Sequence, residues 1–281
     1  MALWYDEVIH NSMRIGFKVE RTLFMGESEF QRVAVVETEL LGKALLVDDI
    51  WMAAEGEEKT YHEMIVHPAM TTAPKIERVL IIGGGDGGTA REVLRYQQVE
   101  HVDMVEIDEM VVEACKEHLP EIGTAWDDPR LNLVIGDGIA WAKRTDLEPY
   151  DVIIVDGSDP VGPAEGLFGK EFYAGCERLL ADDGVFVTQS ESPLVFRDVH
   201  LEMVRTMKET FASVHPYYGS VGIYAGGPWS WTYASNNVSP KDIIDERVEF
   251  IQEQTHIYNR DVHLGAFAVP NHIRRALGDK S

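Results

Sequence analysis

Four apolar runs in this chain each end at a carboxylate. Val79-Leu80-Ile81-Ile82 leads into Gly83-Gly84-Gly85-Asp86-Gly87-Gly88, and Val102-Asp103-Met104-Val105 leads into Glu106-Ile107-Asp108. Leu131-Asn132-Leu133-Val134-Ile135 leads into Gly136-Asp137-Gly138, and Val152-Ile153-Ile154-Val155 leads into Asp156-Gly157-Ser158-Asp159-Pro160. Glycines let a loop bend sharply and let a ligand lie against its backbone, and an acid about 20 residues further on can accept both hydroxyls of a ribose. No Lys or Arg lies in the glycine loop to offset a pyrophosphate, which the acidic rim would repel. The expected ligand is therefore a nucleoside without phosphates, preferably one carrying positive charge. Carboxylates and the aromatic faces of Tyr61, Tyr224, Trp229 and Trp231 suit an ammonium group. A strand-end carboxylate helped by a Tyr could also take the proton that an attacking amine must lose.

These residues need elements to hold them. Short apolar runs bounded by glycine read as buried parallel strands, and Thr89-Ala90-Arg91-Glu92-Val93-Leu94-Arg95 reads as the helix after the first loop. From residue 76 to about 235 strands alternate with helices, with helices at 170–180 and 196–211 and strands at 184–189, 214–218 and 229–235. Before them, Phe17-Lys18-Val19-Glu20, residues 31–36 and residues 43–47 read as strands of an antiparallel sheet, followed by a helix over about 57–73 that Pro74 helps to end. An amphipathic helix over 240–254 and an irregular tail close the chain. The expected fold is α/β: a doubly wound, Rossmann-like, methyltransferase-type sheet of about seven strands in residues 56–281, preceded by a small antiparallel β domain in residues 1–55. The Gly- and Pro-rich stretch 156–168 is long for a strand-helix connection, a trait of functional lids.

Composition narrows the function classes. The chain has 281 residues, 48 acidic and 25 basic, for a net charge of −23. That balance argues against a nucleic-acid surface and favours cationic partners, although solubility or a salt-rich habitat alone could account for it. No run of about 18 apolar residues suggests a membrane span, and the start lacks a secretion signal, so a cytoplasmic protein is expected. Cys115 and Cys176 have no motif spacing and read as core thiols of a reducing compartment. Singly, Glu106 reads equally well as a surface carboxylate and Asp137 as a helix cap, whereas Asp151 reads as a solvent-facing residue and a lone helical His such as His62 is more often packed than catalytic. Together, four acidic strand ends at one edge call for a cation.

The four loop motifs, together with Tyr61-His62-Glu63-Met64, Gln189 and the tail Tyr258-Asn259-Arg260-Asp261-Val262-His263, resemble the polyamine aminopropyltransferases, over about residues 4–270. The resemblance implies transfer of an aminopropyl group from decarboxylated S-adenosylmethionine, a co-substrate, to an amine, with release of methylthioadenosine and neither metal nor cofactor. It implies donor contacts from Gln31, Gly83, Gly85, Asp86, Glu106, Asp137, Gly138 and Pro163. Glu106 would hold the ribose, Asp137 with Gly138 the adenine edge, and Asp86 the terminal amine. For the acceptor it implies His62, Asp86, Asp156, Asp159, Gln189 and Tyr224, with Asp156 and Tyr61 as the catalytic pair. It also implies a homodimer or homotetramer built through the N-terminal sheet.

Three departures from the family pattern matter, the first for a polar contact to the donor and the last for the acceptor. Met52-Ala53-Ala54-Glu55 replaces a more polar stretch, Glu57-Glu58-Lys59 stands for the usual Asp-Glu-Phe, and Val221-Gly222-Ile223-Tyr224-Ala225 keeps the Tyr of Ile-Pro-Thr-Tyr-Pro without its prolines. Putrescine is the expected acceptor, with cadaverine, agmatine or a triamine as alternatives, since one methylene changes binding by only about 1 kcal/mol or a little more. A methyltransferase using intact S-adenosylmethionine, an NAD-dependent dehydrogenase and a non-catalytic polyamine or nucleoside sensor are the competing readings.

Overall fold

The computed structural model describes residues 3–158, 166–224 and 227–278. Among these the chain forms two sheets. The first is an antiparallel meander of β1 (Leu3–Ile9), β2 (Met13–Glu27), β3 (Arg32–Thr38), β4 (Gly42–Val47) and β5 (Ile50–Ala54), paired in chain order. It has two strands more than the pattern suggests, β1 and β5. Their turns carry none of the usual glycine: His10 and Asn11 (φ 49° and 52°) precede β2, and Asp48 and Asp49 (φ 48° and 69°) join β4 to β5. Asn and Asp tolerate the left-handed region better than other side-chain-bearing residues, so these hairpins close without a glycine signal.

The second sheet has the order β11-β12-β10-β9-β6-β7-β8. Its parallel strands are β6 (Arg78–Gly83), β7 (His101–Glu106), β8 (Leu131–Ile135), β9 (Tyr150–Asp156) and β10 (Leu180–Gln189). β12 (Pro228–Ser235) runs antiparallel to β10 and to β11 (Ser213–Ser220). Alternation along the strands divides the core. Val79, Ile81, Val102, Met104, Val152 and Ile154 pack on the face covered by α1 (Lys59–Met70), whereas Leu80, Ile82, Val105, Ile153 and Val155 pack toward α5 (Lys170–Leu179) and α6 (Arg197–Lys208). The first sheet is buried on both faces in the same way, with Val33, Val35, Leu45 and Val47 against Val111 and Cys115 of α3 (Glu109–His118) and Ala34, Val36, Ala44 and Leu46 in the main core.

β6 lies at the centre of the sheet, and the strand order reverses between it and β9, which is the crevice where ligands bind in open α/β sheets. Gly83 pairs with Asp156 across these strands. Gly83 has φ 83°, and a Cβ there would stand 2.2 Å from the Asp156 carbonyl. Only glycine permits that approach.

Several helix bounds differ from expectation. α1 contains Pro68 and ends at Met70, with Thr71 as its C-cap, before Pro74. The Met64 carbonyl, which Pro68 cannot bond, accepts the Tyr217 hydroxyl at 2.7 Å, so the proline is accommodated inside the helix. The expected helix over 240–254 is confined to α7 (Asp245–Gln252), and the tail holds α8 (Arg260–Ala266), capped by Asn259, and α9 (Asn271–Leu277). Asp151 does not point to solvent: its Oδ2 accepts the N–H groups of Glu77 and Arg78 at 2.8 and 3.0 Å. Both cysteines are free and buried.

Candidate active site

The strand-end carboxylates surround a cleft of about 930 Å³ of free space. Gly83 comes from the end of β6, Gly84, Gly85 and Asp86 from the loop between β6 and α2 (Gly88–Leu94), Glu106 from the end of β7, and Asp137 and Gly138 from the start of α4 (Gly138–Ala142). Asp156, Gly157 and Ser158 follow β9. The first sheet adds Gln31, Leu45, Val47 and Met52. Leu45, Val47, Val105, Val111, Ile139 and Leu167 give the cleft apolar walls, the surroundings a flat base needs beside a few polar groups.

A smaller cleft of about 450 Å³ adjoins it, lined by Glu7, Ile9, Ile50, Trp51, Gln189, Phe196 and Trp229. Met52, Tyr61, Gly157, Ser158 and Tyr224 belong to both walls and mark the junction. The aromatic walls suit an amine. Tyr224 stands with its ring 5.8 Å from Tyr61 and 4.5 Å from Trp229, and its hydroxyl donates to the Met52 carbonyl at 2.7 Å.

Asp156 sits beside that junction, clamped by two donors. Tyr61 donates to Oδ1 at 2.8 Å and Thr89 to Oδ2 at 2.6 Å. Burial and the nearby Asp86 charge hold the Asp156 pKa above the usual carboxylate range, against the opposing pull of His62, Thr89 and Tyr61. Burial and Asp156 push the Tyr61 pKa well up, so Tyr61 keeps its proton and acts as a donor.

Asp86 is held differently. Its Oδ1 accepts the Gly88 N–H at 2.8 Å and its Oδ2 lies 3.2 Å from His62 Nε2. The other His62 nitrogen meets Glu58 at 2.7 Å, and Arg91 donates to both Glu58 oxygens at 3.1 and 2.8 Å. Burial disfavours an imidazolium, but the two carboxylates outweigh it and raise the His62 pKa well above normal. Burial likewise raises Asp86, and His62 outweighs it, so Asp86 titrates low and stays ionised. Gly88 packs on the His62 ring, where a Cβ would come within 2.4 Å. His62 thus stands behind Asp86 and outside the walls of both clefts.

Glu106 is buried, and its Oε1 accepts the Asp108 N–H at 2.9 Å. Burial and the Asp108 and Asp156 charges raise its pKa to about 7, against the pull of the backbone N–H groups. Asp137 both lines the cleft and caps α4, accepting the Ile139 N–H at 2.7 Å. Gln31 reaches the same region and donates to Asp108 at 3.0 Å. Gln189, in the smaller cleft, donates to the Ser158 carbonyl at 3.4 Å and accepts the Glu191 N–H at 2.9 Å. Asp159 and Pro163, and most of the expected lid, lie outside the described residues.

Sequence reading missed Thr89, Glu58 with Arg91, and Glu7. Thr89 was legible as a hydroxyl in the first turn after the glycines. Glu7 carried no signal, since only the hairpin of β1 and β2 brings it to the smaller cleft, where it accepts the Trp51 N–H at 3.2 Å.

Comparison with known proteins places this architecture. The model of the spermine/spermidine synthase domain matches residues 58–243, and that of the spermidine synthase tetramerisation domain matches residues 3–55. The chain belongs to the spermine/spermidine synthase family. As an enzyme of this family it is similar to the polyamine aminopropyltransferase of Prochlorococcus marinus (strain MIT 9313), with 48% identity over 98% of this chain and 96% of the relative. It is 43% identical to that of Alkaliphilus oremlandii, covering 99% of this chain and 98% of the relative. The Thermotoga maritima spermidine synthase structure superposes with a TM-score of 0.94 at 37% identity, covering 98% of this chain and 94% of that one. A spermidine synthase in complex with the transition state analogue AdoDATO gives 0.95 at 37% identity, covering 98% and 95%. The aminopropyltransferase fold expected from the loop motifs is thus the one observed.

Proposed function

We propose that this aminopropyltransferase moves the aminopropyl group of decarboxylated S-adenosylmethionine to putrescine by direct displacement, with Asp156 as base. The observation that carries the proposal is the placement of Asp156: buried, raised in pKa, held by Tyr61 and Thr89, and beside the junction of a nucleoside-sized cleft with a narrow aromatic one. In this reading Glu106 takes the ribose hydroxyls, Asp137 with Gly138 the adenine edge, and Gln31 the sulfonium side. Asp86 takes the donor's terminal ammonium. Glu7 and Gln189 face the far ammonium of the acceptor.

The putrescine ammonium gives a proton to Asp156, and its lone pair attacks the propyl carbon. The carbon–sulfur bond breaks, and the positive sulfur leaves as the neutral thioether of methylthioadenosine. The sulfonium is already a good leaving group, so the protein's contribution is positioning and proton removal. No cofactor is required. The N-terminal sheet, with Leu3, Trp4 and Val8 exposed on the edge strand β1, supports assembly as a homodimer or homotetramer. Among the described residues no helix is long and apolar enough to cross a membrane, and the free, buried thiols suit the reducing cytoplasm.

Rates with putrescine, cadaverine, agmatine and spermidine at equal concentration test the acceptor. Putrescine is expected to give the highest kcat/KM, and a clear preference for another amine would overturn that assignment. Asp86→Asn tests the donor side. The carboxylate of intact S-adenosylmethionine would face the Asp86 charge, a repulsion of about 1 to 4 kcal/mol at contact distances. Discrimination against intact S-adenosylmethionine should therefore fall by about tenfold or more in the variant. Unchanged discrimination would remove Asp86 from donor selection.

A further inference from the structure

The wall of the acceptor cleft lacks the prolines that its sequence pattern leads one to expect, yet it is tied down. The segment 221–224 is a turn in which the Tyr224 N–H donates to the Val221 carbonyl at 3.3 Å. Val221 and Ile223 point into the core and are buried, while Gly222 lies at the surface. The Gly222 N–H donates to the Glu57 carboxylate at 2.9 Å. A proline at that position would have no N–H to give. Glu57 comes from the approach to α1, four residues before Tyr61, and the Ile223 N–H acts on the same carboxylate. One side chain thus ties the start of the helix that carries Tyr61 to the turn that carries Tyr224.

We infer that Glu57 is a positioning residue for the acceptor: by holding the 221–224 turn against the start of α1 it sets the spacing of the Tyr61 and Tyr224 rings, and through that spacing the length of diamine the cleft prefers. Three constraints meet on Tyr224. The Glu57 tie fixes its backbone, the hydroxyl bond to Met52 fixes its tip, and Trp229 packs on its face. Of the three only the Glu57 tie lies outside the cleft lining, so it can be cut without removing a group that would touch substrate. It couples the helix to the turn through a charged acceptor, and a hydrogen bond of that kind is stronger than a neutral one.

The inference rests on the acceptor reading given above, and the test separates the two. Diamine and donor KM values and kcat are measured for the wild type, Glu57→Ala, Glu57→Gln and Glu57→Asp, with putrescine and with cadaverine. Loss of the tie should raise the putrescine KM of Glu57→Ala by about tenfold, the scale of one lost hydrogen bond to a charged group. It should narrow the putrescine-to-cadaverine preference, and leave kcat and the donor KM within about twofold. Glu57→Gln, whose amide oxygen can accept the same N–H without the charge, should recover part of the loss. If Glu57→Ala does not fold, as judged by donor binding, Glu57→Asp carries the comparison: its carboxylate, one methylene shorter, falls short of Gly222 and should raise the diamine KM alone. An unchanged diamine KM and preference in the folded variants overturns the inference, as does Glu57→Gln behaving like Glu57→Ala, since long-range charge would then be the cause. A wild type inactive with every diamine counts against the acceptor reading, and diamine Kd values from calorimetry on donor-loaded protein then make the same comparison for Glu57.

Discussion

Asp156→Asn should lower kcat by about two to four orders of magnitude, the span general-base catalysis contributes, while donor affinity stays within about threefold. The asparagine keeps the volume of the carboxylate, and its carbonyl oxygen still accepts from Tyr61 or Thr89, so the clefts keep their shape. It cannot take a proton. The pH dependence of the wild type follows from the same group. Burial and Asp86 hold the Asp156 pKa up, so at low pH the free enzyme carries a protonated, inactive base. The value of kcat/KM should rise with pH through that raised pKa. Asp86→Asn removes the neighbouring charge and should move this acid limb to lower pH. Stopped assays across pH on the three proteins check both points. Turnover unchanged in Asp156→Asn would take the residue out of the mechanism.

Glu106→Gln should act in opposite directions on stability and on donor binding. In the folded chain Glu106 titrates near 7, raised by burial from its ordinary value of 4.5. A raised acid binds its proton more tightly folded than unfolded, so stability falls as pH rises from about 4.5 to about 7 and the full penalty persists above that. The penalty is about 3 kcal/mol. Replacing the charge by an amide should therefore stabilise the ligand-free protein at pH 8, seen as a higher Tm, with little change at pH 5, where the wild-type residue is already protonated. Gln keeps an acceptor for the Asp108 N–H but loses the charge and one of the two acceptors for a ribose. The donor KM should rise about a hundredfold or more, with the amine KM little changed. A variant less stable at pH 8 than the wild type would show that Glu106 is not strained by its burial.

The central sheet was legible because each parallel strand is an apolar run that stops at a glycine or an acid. Position-by-position alternation then sends Leu80 and Ile82 to one face and Val79 and Ile81 to the other. The acidic rim was legible for the same reason: Asp86, Glu106, Asp137 and Asp156 end those runs and all line one cleft. Contacts made between distant elements were not legible. Glu58, His62, Asp86 and Arg91 form one buried charge chain across α1, the glycine loop and α2, and nothing local in the sequence says that His62 turns toward Asp86 instead of the cleft. Glu7 and Glu57 resemble any surface acid in a chain of this charge. The hairpins at His10-Asn11 and Asp48-Asp49 hide β1 and β5 because their left-handed residues are not glycines.

The most direct measurement is product formation from decarboxylated S-adenosylmethionine and putrescine by the purified protein, following methylthioadenosine and spermidine together, with intact S-adenosylmethionine as the control donor. The expected result is one methylthioadenosine for each spermidine, dependent on the amine, with intact S-adenosylmethionine giving neither product. Methylated product from intact S-adenosylmethionine, or no methylthioadenosine with any amine, would contradict aminopropyl transfer at this site.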